Sequence, residues 1–329
     1  MRPRLSLDQY VNGILSGDHL LLSRAITLVE SRRADDQRLA QDVLKAILPK
    51  TGHSVRIGIT GVPGVGKSTF IEAFGTYLTT LGHRLAILTV DPTSQRSGGS
   101  LLGDKTRMET LSMNPNAYVR PSPAGNSLGG VTHHTRETML LCEAAGFDVL
   151  LVETVGVGQS ETVVYDMVDF FLLLMLAGAG DELQGMKRGI MELADTLVIT
   201  KADGTNQTAA NRARVEYQNA LHLFPPTGTG WFPPVLTCSA LTNTGITDVW
   251  SSIQTHQQLT SQNGYRNRRR QNQQLAWFRS LLRQQLEQRF YAQPYLRSQL
   301  EVLEEQVQKG DLLPVTAVQT LLSLAPDSR

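Results

Sequence analysis

Gly61-Val62-Pro63-Gly64-Val65-Gly66-Lys67-Ser68 is the stretch that decides the fold of this chain. It matches G-x-x-x-x-G-K-[ST], the pattern of the phosphate-binding loop. Its glycines let the backbone curl until successive N–H groups point at an anion. Lys67 can reach the β- and γ-phosphates of a nucleotide, and the Ser68 hydroxyl can join the ligands of its magnesium ion. We expect every residue of the loop to contact the nucleotide: Gly61, Val62, Pro63, Gly64, Val65, Gly66, Lys67, Ser68 and Thr69.

The segments on either side of the loop favour this interpretation over a chance glycine-rich turn. Residues 55–60, Val-Arg-Ile-Gly-Ile-Thr, are apolar and β-branched, which is typical of a short buried strand. After Ser68, the residues Phe70, Phe74 and Tyr77 share one face of a predicted helix. The order strand, loop, helix brings the positive end of the helix dipole to the phosphate site.

Length and charge limit the classes of function. A chain of 329 residues can bury a sizeable core and suits one large domain with additions, or two domains. Its formal net charge is +1, so there is no overall electrostatic argument for a nucleic acid or an anionic membrane as partner. One basic cluster, residues 266–270, lies in a Gln/Asn-rich stretch, and we interpret it as a solvated linker or helix start rather than an RNA site.

The cysteines and the apolar runs point to the cytoplasm. Cys142 and Cys238 are far apart and have no C-x-x-C spacing, which makes a structural disulfide improbable and fits a reducing compartment. The N-terminal segment lacks the apolar core of a signal peptide. The longest apolar run, residues 170–177, is far shorter than a membrane span. We interpret that run as a central parallel strand.

The pattern along the chain predicts three regions. Residues 1–50 form a helical extension, in which Asp18 caps one helix and a second runs roughly from residue 35 to 48, giving a helical hairpin. Residues 51–256 alternate strands with helices, which predicts a P-loop NTPase α/β domain with a mostly parallel sheet flanked by helices. The further predicted strands are 85–90, 118–119 at an edge, 149–152, 170–175, 196–200 and 235–238.

Residues 257–329 form the third region, a predicted C-terminal helical dimerisation arm. It begins where the composition shifts to Gln, Asn and Arg. Two apolar series recur at helical spacing, the second like a short heptad seam. We expect the arm to pack on a second copy of the chain, and a hairpin folded back on the same subunit is the alternative. The series are Leu275, Phe278, Leu282 and Leu286, then Leu296, Leu300, Leu303 and Val307.

Three acidic residues are candidates to bind the magnesium ion of the nucleotide. Asp91 follows the strand 85–90, Glu153 follows the strand 149–152, and Asp104 lies in a glycine-rich loop. Carboxylates at the carboxyl edge of a parallel sheet converge over the phosphate loop, and magnesium prefers oxygen ligands. We predict Ser68, Asp91, Asp104 and Glu153 as metal ligands, and Lys67 with the three carboxylates as the catalytic set. Asp91 could instead start a turn, and Asp104 could cap a helix.

Two segments are predicted switches. Gly156 is a candidate γ-phosphate sensor, because its N–H can bond the terminal phosphate and pull residues 157–161 inward until hydrolysis releases them. A second segment, residues 177–187, combines glycines with charges after an apolar strand. Both are hypotheses about how the nucleotide state changes the surface.

The segment Thr200-Lys201-Ala202-Asp203 follows a predicted strand and resembles the N-K-x-D motif that reads guanine. Asp203 would accept two hydrogen bonds that adenine cannot supply, and the Lys201 stem would cover the base. Thr200 replaces the usual Asn, and it is too short to bond the base and brace the phosphate loop at once. A backbone N–H of the segment Ser239, Ala240 and Leu241 would meet guanine O6. The sequence thus predicts GTP or GDP as the bound nucleotide.

These motifs together resemble the MeaB/ArgK family of G proteins, in the SIMIBI class of P-loop GTPases, over nearly the whole chain. The resemblance implies a homodimeric, magnesium-dependent GTPase that chaperones methylmalonyl-CoA mutase, an adenosylcobalamin enzyme. Such proteins gate cofactor loading and protect the mutase from inactivation. Lys187 would help relay the nucleotide state to the mutase. The resemblance is carried by residues 61–69, 91–94, 98–100, 103–108, 127–130, 153–161, 180–185 and 200–203.

Three other functions stay open at this point. A kinase of an amino-acid transport system would prefer ATP, which Asp203 disfavours. A GTP-dependent metal-insertion factor would need His/Cys clusters, and here only His133 and His134 are adjacent, which we interpret as a solvated helix start. A scaffold would bind GTP without turnover. No Arg in the sequence is obviously placed to act as an arginine finger. We therefore expect slow intrinsic hydrolysis, with a partner protein completing the catalytic site.

Overall fold

The computed structural model describes residues 5–90, 108–121, 128–154, 160–178, 188–225 and 228–324, without the side chains of 128–132 and 188. The chain divides into two compact units, Met1–Arg270 and Gln271–Arg329. The three-region division at residues 50 and 256 stays a prediction. Asp91, Asp104, Gly156, Lys187 and most of the two predicted switch segments lie outside the described residues.

The first unit is built on a seven-stranded sheet in which every pair is parallel. The strand order is β3-β2-β4-β1-β5-β6-β7, so the strand that leads into the phosphate loop is central. The α/β fold predicted from the sequence is confirmed, and all seven predicted strands are present. Their bounds are β1 Val55–Gly61, β2 Leu85–Val90, β3 Ala117–Arg120, β4 Val149–Thr154, β5 Phe170–Leu176, β6 Thr196–Thr200 and β7 Val235–Thr237.

Strand β5 shows why the apolar runs could be recognised. A parallel strand that is covered on both faces needs no polar side, so it is apolar throughout. Residues 170–175 are fully buried, and the strand pairs with β1 on one side and β6 on the other. The prediction of a central parallel strand is confirmed. Gly58 of β1 is needed beside it, since an added Cβ would lie 2.8 Å from the Phe171 ring.

Helices cover both faces of the sheet. Phe70 and Phe74 from the helix after the phosphate loop stack at 5.4 Å in the core of one face, together with Trp250. The opposite face is covered by the N-terminal helices and by the helix before β4. The helices are α1 Leu7–Leu15, α2 His19–Val29, α3 Ala34–Ile47, α4 Lys67–Thr80, α5 Glu109–Met113, α6 Leu128–Ala144, α7 Ser160–Tyr165, α8 Arg188–Leu193, α9 Gln207–Leu221, α10 Ile246–Gln262 and α11 Tyr265–Tyr291.

The N-terminal region contains one helix more than the predicted hairpin. The Asp18 carboxylate caps α2 by accepting hydrogen bonds from the N–H groups of Leu20 and Leu21, as the sequence predicts. The additional helix α1 begins at a capping box, in which Ser6 and Gln9 each bond the other's backbone N–H. The S-x-x-Q spacing that encodes this box was readable in the sequence.

The basic cluster at residues 266–270 lies at the start of α11, as expected, and Arg268 is exposed. Arg266, Arg269 and Arg270 instead pair with buried carboxylates, so the expectation that they are solvated was wrong. Arg270 donates to both carboxylate oxygens of Asp169, at 2.7 and 2.6 Å. Arg269 is buried and lies 3.6 Å from a carboxylate oxygen of Asp195. Burial alone would raise the pKa of Asp169, but the hydrogen bonds and charge of Arg270 hold it below its usual value. We name Arg266, Arg269 and Arg270 with Asp169 and Asp195 the arginine clasp.

The clasp acts at the amino-terminal edge of the sheet. Asp169 precedes β5 and Asp195 precedes β6, and each carboxylate also accepts a backbone N–H of a strand. Arg266 and Arg270 both donate to the Ser54 carbonyl, just before β1. The charges therefore fix the start of α11 to three strands instead of facing water.

The second unit contains most of α11, followed by α12 Pro294–Lys309 and α13 Pro314–Ser323. Leu296 and Leu303 of the predicted seam pack against Ala317 and Leu321 of the same chain. The seam thus fills the arm's own core, which is the alternative that the sequence left open. The other series lies on an exposed face of α11: Leu275, Phe278, Leu282 and Leu286. Within the described part of the chain, no helix is long and apolar enough to cross a membrane.

Candidate nucleotide site

The phosphate loop joins the end of β1 to the start of α4, as the motif requires. Gly64 has φ 75° and Gly66 has φ 91°, left-handed values that side chains other than glycine rarely adopt. At Gly61 an added Cβ would lie 2.5 Å from the carbonyl oxygen of Leu174. The backbone conformation therefore requires glycine at positions 64 and 66, and close packing requires it at position 61.

Three side chains hold the carbonyl groups of this loop. Lys67 Nζ donates to the Gly61 carbonyl at 2.9 Å, and Lys201 Nζ donates to the Gly64 carbonyl at 2.9 Å. Thr200 Oγ1 donates to the Val65 carbonyl at 2.8 Å. These three hydrogen bonds support the curved shape of the loop. The N-terminus of α4, which attracts anions, opens onto the same place.

The electrostatics around Lys67 suit a lysine that contacts phosphate. Burial lowers its pKa, whereas the negative charges of Glu153 and Glu161 raise it. Both carboxylates are buried, Glu153 in β4 and Glu161 in the first turn of α7. The ammonium group of Lys67 thus lies in the field of two acidic side chains at the carboxyl edge of the sheet. Glu161 was not predicted as a site residue, although it is the last residue of the predicted switch segment 157–161.

The described oxygen donors fit a magnesium ion. Ser68 is in the first turn of α4, and Glu153 pairs in register with Ile59 of β1 and Thr89 of β2. A hydroxyl and a buried carboxylate are both ligands of the type that magnesium takes. Two ligands leave room for phosphate oxygens and waters, which magnesium usually retains. In the described ranges, no group of three or more His, Cys, Asp or Glu side chains forms a metal site on its own.

A pocket beside the loop matches the predicted base site. It has a volume of about 230 Å³, and Asp203 lies in its wall together with the Lys201 stem. Phe70 and Cys238 also line it and were not predicted, although each is a neighbour of a motif residue in the sequence. The lining residues are Val65, Gly66, Thr69, Phe70, Thr200, Lys201, Asp203, Cys238, Ala240 and Leu241.

Ser239 holds the carboxylate of Asp203, the predicted base-reading residue. Its hydroxyl, which is fully buried, donates a hydrogen bond to Asp203 Oδ2. Its backbone N–H donates to the Thr244 carbonyl at 2.9 Å and is therefore not available to a base. Of the three residues predicted here, Ala240 and Leu241 lie in the pocket wall.

The Asn of an N-K-x-D motif would both bond the base and brace the phosphate loop. Thr200 makes the contact that braces the loop. Its buried hydroxyl bonds the Val65 carbonyl and lies 3.2 Å from the Met175 carbonyl, so both of these contacts are with backbone oxygens. The next residue, Lys201, has a left-handed φ of 55°, which lets its side chain turn back over the loop. The Ala202 N–H then bonds the Cys238 carbonyl and joins the two base-reading segments.

The histidine pair does not form a joint metal site. His133 is buried in α6, so its interpretation as a solvated residue was wrong, and burial with the charge of Arg136 lowers its pKa to about 4. His134 instead contacts Glu137, with 3.2 Å between Nδ1 and Oε2. Adjacent positions on a helix point in different directions, which is why only one of the two is buried.

Comparison with known proteins agrees with this geometry. A "Putative GTPase" of Caulobacter vibrioides is 53% identical, covering 98% of this chain and 99% of that protein. The "Methylmalonic aciduria type A homolog, mitochondrial" of Mus musculus is 45% identical, covering 96% and 79%. A crystal structure described as a "LAO/AO transport system kinase" is 37% identical, covers 98% of each chain and has a TM-score of 0.77. The family described as "Methylmalonyl Co-A mutase-associated GTPase MeaB" matches residues 22–295. The chain is thus a P-loop GTPase, and it belongs to the MeaB family of methylmalonyl-CoA mutase-associated GTPases.

Proposed function

We propose that this GTPase is a chaperone that gates the loading of the cobalamin cofactor into methylmalonyl-CoA mutase and protects the mutase from inactivation. The observation that carries the proposal is the pocket around Asp203, joined to the phosphate loop through Thr200. The likeness to the mouse methylmalonic aciduria type A homolog, over 96% of this chain, supports the mutase as the partner. A nucleotide site of this kind changes shape with the state of the nucleotide, which is what gating requires.

The residues of the site have these proposed roles. Amide groups of the loop and the α4 N-terminus bind the phosphates, and Lys67 contacts the β- and γ-phosphates. Asp203 and Ala240 read the guanine edge, while the Lys201 stem and Leu241 cover the ring. Ser68 and Glu153, with Asp91 and Asp104, would hold magnesium, whose charge offsets that of the phosphates. The catalytic set is Lys67, Asp91, Asp104 and Glu153.

We propose that the nucleotide state reaches the mutase through the two switch segments. Gly156 would sense the γ-phosphate, and Lys187 in the segment 177–187 would contact the mutase. The neighbouring structure supports such a relay, because β5 leads directly into the second segment and its register with β1 ends at Gly61 of the phosphate loop. We expect slow intrinsic hydrolysis that the mutase changes.

We also propose that the protein acts as a homodimer in the cytoplasm. The exposed apolar series on α11, which includes Phe278 and Leu282, supports contact with a second copy. Cys142 and Cys238 are both buried free thiols, which agrees with a reducing compartment.

The test uses purified methylmalonyl-CoA mutase in its cofactor-free form. We expect the chain to bind the mutase with an affinity that differs between GDP and a non-hydrolysable GTP analogue, and to make cobalamin uptake depend on GTP. Lys67→Ala is the matched control, because it should remove nucleotide dependence while the fold remains. Equal mutase binding without nucleotide, with GDP and with the analogue would refute the gating role.

A second candidate, the transport-system kinase, is favoured only by the description of one solved relative. It predicts tighter binding of ATP than of GTP. The carboxylate of Asp203 opposes this, since adenine lacks the two donors that guanine presents to it. Titration of the purified chain with both nucleotides separates the two functions.

A further inference from the structure

The hydroxyl group of Thr200 limits what this residue can offer to a purine. A hydroxyl has one hydrogen to donate, whereas the side-chain amide of an Asn has two. Thr200 Oγ1 donates to the Val65 carbonyl at 2.8 Å and lies 3.2 Å from the carbonyl oxygen of Met175 in β5. Both of these oxygens can only accept, so the one hydrogen of Thr200 is already used by the backbone.

Burial keeps this hydrogen where it is. Thr200 is 5% exposed and Val65 is 1% exposed, so water has little access to either group. If the hydroxyl turned towards a bound base, the Val65 carbonyl would lose this donor, and a buried acceptor that loses its donor is costly. We therefore expect the contacts of Thr200 with the backbone to persist when a nucleotide is bound.

Guanine presents one more acceptor than the base-reading residues have been assigned to bind. The proposed role of Asp203 is to accept from the N1–H and amino groups of the base. The adjoining edge of guanine carries two acceptors, O6 and N7. A backbone N–H beside Ala240 has the proposed role of donor to O6. N7 then requires a second donor, and Thr200, which stands at the Asn position of the motif, has none left.

The other side chains in the described part of the pocket wall do not replace that donor. Lys201 Nζ is directed to the Gly64 carbonyl of the phosphate loop. Thr69 is exposed, so a hydrogen bond from its hydroxyl would replace one to water and add little. The thiol of Cys238 is a weak donor. The remaining side chains of this wall are apolar or absent, at Val65, Gly66, Phe70, Ala240 and Leu241.

We propose that this protein recognises guanine by its N1–H, amino and O6 groups and is indifferent to N7, and that Thr200 determines this specificity. The inference rests on the proposed role of Asp203 as the base-reading residue. The ligands that it adds are guanine nucleotides in which C–H replaces N7. Since N7 gains no hydrogen bond from the wall, its replacement by C–H loses none.

The test uses the full chain with magnesium and compares GDP, 7-deaza-GDP and IDP by competition with a fluorescent guanine nucleotide. We expect 7-deaza-GDP to bind within threefold of GDP or more tightly. IDP lacks the amino group that Asp203 would bind, so it should bind at least fivefold more weakly than GDP. A loss of more than threefold for 7-deaza-GDP would overturn the inference about N7 alone. A loss of less than fivefold for IDP would instead overturn the role of Asp203, on which the inference rests.

Two variants test whether position 200 is the determinant. Thr200→Asn supplies a second donor hydrogen, so it should bind GDP at least fivefold more tightly than 7-deaza-GDP. Thr200→Val removes the hydroxyl and should weaken both nucleotides by the same factor, because the hydroxyl contacts neither N7 nor the C–H that replaces it. Circular dichroism shows whether each variant is folded.

A folded Asn variant that does not separate the two nucleotides would overturn the role of Thr200. A valine variant that weakens GDP more than 7-deaza-GDP would do the same, since the hydroxyl would then have contacted N7. If the Asn variant does not fold, the comparison of nucleotides on the wild-type chain still decides whether N7 is read.

Discussion

The Thr200 hydroxyl donates a hydrogen bond of 2.8 Å to the carbonyl of Val65, 135 residues earlier in the chain. This contact joins the predicted base-reading segment to the phosphate loop. Thr200→Val keeps the shape of the side chain and leaves the Val65 carbonyl without this donor, at a cost of about 1–3 kcal/mol. We expect GDP affinity, measured by calorimetry, to fall about tenfold. Thr200→Ser should restore most of it, and an unchanged affinity in the valine variant would show that the loop does not need the brace.

Asp203→Asn tests the reading of the base. The amide replaces one acceptor oxygen with a donor, so it no longer matches the N1–H and amino groups of guanine but suits the second carbonyl of xanthine. Hydrogen bonds to a charged group contribute about 1.5–3 kcal/mol, so GTP affinity should fall about 10- to 100-fold while XTP affinity rises. Competition with a fluorescent guanine nucleotide measures both. If the selectivity stays with guanine, Asp203 is not the base-reading residue.

Lys67→Ala tests the phosphate site. The ammonium group now bonds the Gly61 carbonyl and lies near Glu153 and Glu161, so its removal leaves two buried carboxylates without that cation. We expect GTP binding to weaken more than GDP binding, because the γ-phosphate is lost as a partner, and hydrolysis to become undetectable in a phosphate-release assay. Lys67→Arg, which keeps the charge, is the matched variant. Equal losses for the two nucleotides would argue against contact with the γ-phosphate.

Arg270→Leu tests the arginine clasp. Its loss leaves Asp169 buried with its best partner removed, and breaking a buried ion pair in this way costs about 3–5 kcal/mol. Urea unfolding should show a destabilisation of that order at pH 7. Arg268→Leu, at an exposed position two residues earlier, should change the stability by less than about 0.5 kcal/mol. Similar effects of the two variants would mean that the clasp contributes no more than a surface arginine.

His133 predicts a pH dependence of stability. Its pKa falls from 6.5 to about 4 on folding, so between these values the unfolded chain binds a proton that the folded chain does not. The contribution of His133 to the free energy of unfolding is therefore fully present above pH 6.5. It decreases as the pH falls towards 4, by about 3 kcal/mol at most. His133→Gln should flatten this part of the stability curve. Parallel curves for the wild type and His133→Gln would contradict the assignment.

The sheet was predictable from the sequence because parallel strands are apolar on both faces. Residues 170–176 could be recognised as a strand from their apolar run alone. The phosphate loop is encoded by glycines whose backbone angles few other residues adopt. The meeting of segments 200–203 and 238–241 at one pocket followed from their places after β6 and β7. These features are local, so a single sequence contains them.

Features that depend on distant partners were not predictable. The charge of Arg270 was visible, but Asp169, which it bonds, is 101 residues away and nothing local marks the pair. The same holds for the burial of His133, since helix α6 has no strongly apolar face. The role of Thr200 depended on the Val65 carbonyl, whose direction is set by the folded loop. The seam of Leu296 and Leu303 was recognised, but its spacing did not specify whether the partner helix belongs to the same chain.

The arginine clasp also determines where the chain can be cut. A fragment that ends at residue 256, where the composition changes, would lack Arg270 and Arg269, which pair with Asp169 and Asp195. Both carboxylates would lose these guanidinium partners, and expression of such a fragment would yield a weakened fold. A self-sufficient GTPase fragment must therefore extend through Arg270, which includes the first turn and a half of α11.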